Sequence, residues 1–113
     1  MHEMSLAQNV RQIIEESARS QNFQPVRCVV LEIGRLSAVE PDAMRFCFEA
    51  VMAGGIAQGA RLEIVETPGQ GWCEQCACDV PLAALYDACP HCGNYQIRVT
   101  SGDAMRVREL EVE

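Results

Sequence analysis

Lysine is absent from this 113-residue sequence, and its nine basic side chains are all arginines. Sixteen aspartates and glutamates give the chain a formal net charge of -7. Proteins that bind nucleic acids neutralise phosphates with clustered cations, so this charge balance argues against a nucleic-acid partner. Without lysine, the chain also has no phosphate-loop lysine and no lysine that could form a Schiff base.

Aromatic residues and long apolar runs are also scarce. One Trp, two Tyr and three Phe predict a core that is mainly aliphatic and rich in methionine. No apolar stretch approaches the roughly 20 residues that a membrane-spanning helix needs, and the chain does not open with a basic segment followed by an apolar one. We therefore expect a cytoplasmic protein without a membrane partner, in a compartment where thiols stay reduced.

Cysteine, in contrast, is abundant, with seven residues. In a reducing compartment this number predicts metal or redox chemistry rather than a disulfide framework. Four cysteines form two Cys-x-x-Cys pairs, CEQC (73–76) and CPHC (89–92), separated by 12 residues. Two such turns can bring four thiolates to one tetrahedral ion. Gly93 directly follows the second pair, where a turn of this kind often needs a positive φ.

The cysteine spacing does not by itself decide which metal is bound. Zinc is favoured, and iron in a rubredoxin-like centre is the alternative, because both ions accept four thiolates. A closed four-thiolate site leaves no open coordination position to activate water, so it is expected to hold a module together. Cys78, beside the first pair, is interpreted as a packing residue, although it could compete for the ion. His91 lies within the second pair.

Two amphipathic helices are predicted outside the cysteine-rich segment. Apolar residues recur at helical spacing from about residue 4 to residue 21. A second helix is predicted to start at Pro41, with Glu40 at or near its N-cap, and to stop at Gly54 or Gly55.

Three strands are predicted to accompany the helices. The first covers residues 26–36, and its apolar run predicts a strand covered on both faces. The second ends at Pro68. In the last strand, within residues 103–113, the apolar residues change phase, which predicts a bulge near Arg108. We therefore predict one domain from residues 1–68 plus 101–113, interrupted by a separate module of residues 69–100.

The chain opens with Met1-His2-Glu3, which could form a nitrogen ligand set. The α-amine and the imidazole have ordinary pKa values of about 7.7–8.0 and about 6.5, and the backbone nitrogens of His2 and Glu3 could complete adjacent chelate rings. Nitrogen-rich, tetragonal sets suit Ni(II) and Cu(II). The alternative is a terminal histidine without a ligand, which the residues alone favour, since one histidine is weak evidence for a site. No catalytic constellation competes with these candidates.

Four stretches together resemble the HypA/HybF family of nickel metallochaperones, which serve nickel–iron hydrogenase maturation. They are MHEMSLAQNV, LEIGRLSAVEPDAMRFCFE, the paired CEQC and CPHC, and the closing VRELEVE. The resemblance covers essentially the whole chain. It implies a non-enzymatic α+β protein in which two helices pack on a three-stranded sheet. It also implies that a ribbon-like zinc module is inserted before the last strand.

The resemblance further implies where the metals bind. Nickel would bind His2 and backbone nitrogens including that of Glu3, with the Met1 amine as a further candidate, and Glu40 would lie near these ligands without binding the ion. The structural zinc ligands would be Cys73, Cys76, Cys89 and Cys92.

The partners that the resemblance implies are a HypB-type GTPase and the hydrogenase large-subunit precursor, which would receive Ni(II). The protein would be a monomer or a homodimer. Two other functions remain as alternatives. One is a zinc-ribbon adaptor that binds proteins without delivering metal, and the other is a rubredoxin-like iron electron carrier.

Overall fold

The computed structural model describes residues 3–23 and 25–113, which form two helices and two three-stranded sheets. The helices are α1 (Glu3–Gln21) and α2 (Pro41–Met52). The first sheet contains β1 (Val26–Gly34), β2 (Arg61–Thr67) and β6 (Met105–Val112), and the second contains β3 (Gly69–Cys73), β4 (Cys78–Leu82) and β5 (Ile97–Ser101). The predicted α+β fold is confirmed. The domain boundaries at residues 68/69 and 100/101 stay a prediction.

The central strand of the first sheet is β1, which lies between β2 and β6. It pairs in parallel with β2, with α2 as the crossover, and antiparallel with β6. The register slips by one residue at Arg108, because Val30 pairs with Glu109 whereas Leu31 pairs with Val107. The predicted bulge is therefore confirmed. It lets apolar residues on both sides of the slip pack against the same core.

One face of the first sheet packs against both helices. Alternate β1 residues Val29, Leu31 and Ile33 are buried in a cluster with apolar side chains from α1 and α2. The helix residues in this cluster are Ala7, Val10, Ile14, Met44, Phe48 and Met52. The core is mainly aliphatic and contains methionine, as the composition predicted. Neither helix in the described ranges is long and apolar enough to cross a membrane.

The opposite face of the first sheet is lined by charged side chains. Cys28 and Val30 of β1 are buried on this face without joining the cluster under the helices. Beside them, Arg106 Nε donates a hydrogen bond of 2.6 Å to the Glu32 carboxylate, and this bond lowers the pKa of Glu32. The apolar run of β1 is thus covered by helices on one face only.

Contacts from α1 reach both ends of α2, so the two helices run parallel. At the start of α2, the Glu40 backbone N–H donates to the Glu3 carboxylate at 3.1 Å. At its end, the Arg11 guanidinium donates to the carbonyl oxygens of Val51 (2.7 Å) and Ala53 (3.3 Å). A negative group near a helix N-terminus and a cation near its C-terminus both oppose the helix dipole favourably. These contacts hold the first residue of α1 beside the start of α2.

The two sheets meet at the end of β1, where backbones approach closely around Gly34. The Arg35 N–H donates to the Thr67 carbonyl at 2.9 Å, and the Leu36 N–H donates to the Gly102 carbonyl at 2.7 Å. Thr67 ends β2 just before one connection between the sheets, and Gly102 lies in the other connection. A Cβ added at Gly34 would lie 2.1 Å from the Gly102 carbonyl oxygen. Only glycine allows this approach.

We expect Gly34→Ala to lower the free energy of unfolding by about 1–3 kcal/mol, because the new methyl group would displace the backbone of a connection. Urea unfolding measures this loss. The matched control is Gly55→Ala, whose methyl would have its three nearest neighbouring atoms in the flexible Arg11 side chain, the first at 3.0 Å. A loss in Gly34→Ala no larger than in this control would show that the close approach is not required.

Candidate metal centre

Two tight turns bring the four predicted cysteines together at one end of the second sheet. Cys73 ends β3, and its pair partner Cys76 lies in the turn that leads to β4. The second pair lies in the connection between β4 and β5. Equivalent backbone hydrogen bonds close both turns, from Ala77 N–H to the Cys73 carbonyl (2.8 Å) and from Gly93 N–H to the Cys89 carbonyl (2.9 Å).

Both turns place a left-handed residue directly after their second cysteine. Gly93 has a φ of 77°, as the sequence predicted, and Ala77 has a φ of 53°. This conformation is easy for glycine but unfavourable for alanine. The first turn therefore adopts the same shape without the glycine signal that marks the second one.

The four sulfur atoms are spaced as a tetrahedral ion requires. They all lie within 4.8 Å of one another. The Sγ atoms of Cys73 and Cys92 are 3.6 Å apart, and those of Cys76 and Cys89 are 3.8 Å apart. Zinc–sulfur bonds of about 2.3 Å in a tetrahedron give sulfur–sulfur distances of about 3.8 Å. All seven cysteines are free of disulfides, so these four residues form a metal site.

The local backbone favours thiolates at this site. The Cys76 N–H donates to the Cys73 sulfur and the His91 N–H donates to the Cys89 sulfur, each at 3.4 Å. Burial raises the pKa of Cys89, but hydrogen bonds from the backbone of Cys92 and His91 outweigh it and lower the pKa to about 6. The pKa of Cys76 is raised, by its hydrogen bond with Cys92 and by burial. Four adjacent thiols resist ionising together because like charges repel, and a divalent cation removes that repulsion.

The hydrophobic core around the metal site is very small. Its buried members are Cys73, Val80 and Cys89, with Cys76 and Ile97 packed against them. Two of the three buried residues are therefore metal-site cysteines. A cluster of this size cannot stabilise a small sheet alone, and a metal is one of the usual substitutes for a core. We call the second sheet and its two cysteine turns the cysteine module.

Cys78 and His91 lie beside the metal site but are not part of it. Both side chains are exposed, and neither belongs to the group of convergent metal-ligating side chains in the described residues. Cys78 pairs with Cys73 across β3 and β4. The interpretation of Cys78 as a packing residue is wrong, because this edge of β4 faces solvent.

The predicted nickel ligands are only partly within the described residues. Met1 and His2 lie outside them, so the terminal ligand set stays a prediction. Glu3 is the first residue of α1. Glu40 is the N-cap of α2, and its carboxylate accepts a hydrogen bond from the Ala43 N–H at 2.7 Å. The predicted N-cap is confirmed, and the bond between Glu40 and Glu3 places the start of α2 beside the first residue of α1.

Known proteins resemble this chain over its whole length. The family model described as hydrogenase/urease nickel incorporation, metallochaperone, matches residues 1–112. A protein of Dechloromonas aromatica (strain RCB) named hydrogenase maturation factor HypA is 59% identical over 113 residues, with both chains fully covered. A protein of the same name from Azotobacter chroococcum mcd 1 is 57% identical, again over both whole chains.

A solved structure agrees with these sequence matches. The solution structure of the Ni metallochaperone HypA from Helicobacter pylori matches with a TM-score of 0.75 and 28% identity, covering 99% of this chain and 97% of that one. The chain therefore belongs to the HypA family, whose members are hydrogenase maturation factors and nickel-incorporation metallochaperones.

Proposed function

We propose that this protein binds Ni(II) at its N-terminus and delivers the ion to the large-subunit precursor of a nickel–iron hydrogenase. Membership of a nickel-incorporation family supports the cargo. The observation that carries the proposal is the hydrogen bond between the Glu3 carboxylate and the Glu40 N–H. It fastens the start of α1 to the start of α2, so the terminal ligands extend from a fixed point of the fold.

The nickel ligand set that we propose is the Met1 amine, the His2 imidazole, and the backbone nitrogens of His2 and Glu3. Four nitrogens suit the planar geometry of Ni(II). At a site built on a chain terminus, incoming ligands can replace the donor atoms on the ion one at a time. This stepwise exchange suits an ion that must be released. We propose Glu40 as a carboxylate near this set that does not bind the ion, and one of its oxygens already accepts the Ala43 N–H.

For the four-cysteine site we propose a structural Zn(II). The sulfur spacing supports tetrahedral coordination, and four protein ligands leave no position for water or substrate. Iron would accept the same sulfurs, but in the oxidised Fe(III) state it would colour the protein red. We assign no catalytic residue, so the chain acts by carrying an ion rather than by transforming a substrate.

Delivery requires partners from the hydrogenase maturation machinery, in keeping with the name of the relatives. We propose that a HypB-type GTPase works together with this protein and that the large-subunit precursor accepts the ion. The proposed location is the cytoplasm, and the proposed state is a monomer or a homodimer.

Direct transfer tests this proposal. Protein loaded with one Ni(II) is mixed with metal-free large-subunit precursor in the presence of a chelator that outcompetes the precursor for free nickel. After separation, nickel bound to the precursor is counted. We expect the precursor to gain nickel from the loaded protein but not from the nickel–chelator complex. Equal uptake from both sources, or uptake from neither, would contradict delivery.

A further inference from the structure

The loop between β4 and the second cysteine pair presents its largest side chains to solvent. Leu85 is 41% exposed and Tyr86 is 89% exposed. Tyr86 also has a φ of 70°, a left-handed conformation that is unfavourable for residues with a Cβ and especially for bulky ones. We call Leu85 and Tyr86 the tip.

The turn around the tip enforces this conformation. The Asp87 carboxylate accepts a hydrogen bond from the Ala84 N–H at 3.0 Å, and the Asp87 N–H donates to the Ala84 carbonyl at 3.3 Å. The two tip residues occupy the centre of the turn thus closed. Glycine would fit the backbone at Tyr86 better.

The tyrosine ring makes no contact with the described residues that would stabilise the fold and offset this backbone strain. Tyr86 belongs to neither buried cluster, and no residue in the described ranges forms a hydrogen bond with its hydroxyl group. Strained backbone that persists without a benefit to folding indicates a role in recognition. An exposed tyrosine is also a residue type that commonly anchors protein interfaces.

A cleft beside the tip extends to Glu40, at the start of α2. It has a volume of about 450 Å³ and lies where β1 and β2 end and α2 begins. Ala83, three residues before Tyr86, lines this cleft together with Glu40 and Glu66. Glu40 is bonded in turn to Glu3. The ends of parallel strands beside a helix start are a usual position for binding sites in such sheets.

Charge indicates the class of partner that fits this surface. Glu40 and Glu66 line the cleft with a single cation, Arg35, and neither carboxylate belongs to an ion pair with the described part of the chain. The cysteine module has one basic residue, Arg98, and a larger set of acidic residues, which are Glu74, Asp79 and Asp87. A complementary protein surface would carry basic side chains around an apolar pocket.

We propose that the tip and the cleft form the docking surface for the protein that receives the nickel ion, with Tyr86 entering an apolar pocket rimmed by basic side chains. This proposal rests on the proposed function, which makes the large-subunit precursor the acceptor. Docking at the cleft places the acceptor beside Glu40 and therefore beside Glu3, the first residue of α1.

The test measures the affinity of the full-length protein for purified large-subunit precursor by calorimetry. We expect Tyr86→Gly to weaken association by about 30-fold, the loss typical of an interface anchor, without lowering the melting temperature. Tyr86→Phe retains the ring and should bind within about threefold of the wild type. The matched control is Tyr95→Ala, which removes a tyrosine that is 73% exposed and not among the residues with positive φ. Its affinity should be unchanged.

Equal affinity of Tyr86→Gly and the wild type would overturn the proposal, as would an equal loss in Tyr95→Ala or a wild-type protein that does not associate with the precursor. Nickel titration of the same proteins separates this failure from failure of the proposed function. Tyr86→Gly should bind nickel as the wild type does. If no variant binds nickel but Tyr86→Gly still loses association, the nickel function fails and the docking surface stands.

Discussion

Cys89→Ser is expected to lose the bound metal ion and to unfold the cysteine module, while the two helices and the first sheet stay folded. The metal site supplies two of the three residues in the buried apolar cluster of this module, Cys73 and Cys89, and the third is Val80. The free energy of binding structural zinc is about 10–16 kcal/mol in small zinc peptides at neutral pH. So small an apolar cluster cannot replace a contribution of that size. The first sheet has its own core under α1 and α2 and does not depend on the metal.

Metal content and amide spectra measure this result. Wild-type protein should contain one zinc ion per chain, and Cys89→Ser should contain none and lose dispersed amide signals for the second sheet. Cys78→Ser is the matched control, because Cys78 is an exposed thiol outside the four-sulfur group. It should retain one zinc ion and a wild-type spectrum. A folded cysteine module in metal-free Cys89→Ser would contradict the structural role of the ion.

His2→Ala is expected to abolish nickel binding and to leave zinc content and folding unchanged. The imidazole is the only side-chain ligand in the proposed nickel set, and its removal also opens a chelate ring. Removing a group that only hydrogen-bonds to a metal ligand lowers metal affinity by about 10–100-fold. Removing the ligand itself should therefore lower nickel affinity by more than this. The cysteine site should not respond, because its ligands all lie between residues 73 and 92.

Nickel titration followed by a count of both metals checks this prediction. His91→Ala is the matched control, since it removes the only other histidine, which is exposed and outside the convergent cysteine group. It should bind nickel as the wild type does. Unchanged nickel affinity in His2→Ala would exclude the terminal site, and a loss in His91→Ala would place nickel at the second cysteine pair instead.

Local signals in the sequence predicted much of this fold. Pro41 and Glu40 marked the start of α2, because one fits the first helical position and the other caps the helix. The phase change in the last strand located the bulge at Arg108. The two Cys-x-x-Cys pairs predicted a common site, because each turn can supply two ligands by itself. Each of these features depends on residues that are close together in the chain.

Features that depend on distant parts of the chain could not be predicted in this way. The hydrogen bond between Glu40 and Glu3 joins residues 37 positions apart. The close approach of Gly34 to Gly102 becomes visible only when the two connections are placed next to β1. Cys78 was misjudged because the exposure of β4 depends on which strands flank it, and the sequence does not give that order.

The left-handed conformations at Ala77 and Tyr86 were missed for a different reason. Both positions carry residue types that normally avoid positive φ, so the sequence does not predict a left-handed backbone there. At Ala77 the conformation closes a cysteine turn. At Tyr86 it projects a ring into solvent, which is the basis for the docking surface proposed above.

Nickel binding by the free N-terminus is the central claim, and a blocked terminus tests it most directly. Tag-free protein and the same protein with a short N-terminal extension are titrated with Ni(II), and both metals are then counted. The extension removes the α-amine from the chelate but leaves every side chain in place. The account predicts one nickel and one zinc ion in the tag-free protein, and one zinc ion without stoichiometric nickel in the extended protein. Equal nickel binding by both proteins would contradict it.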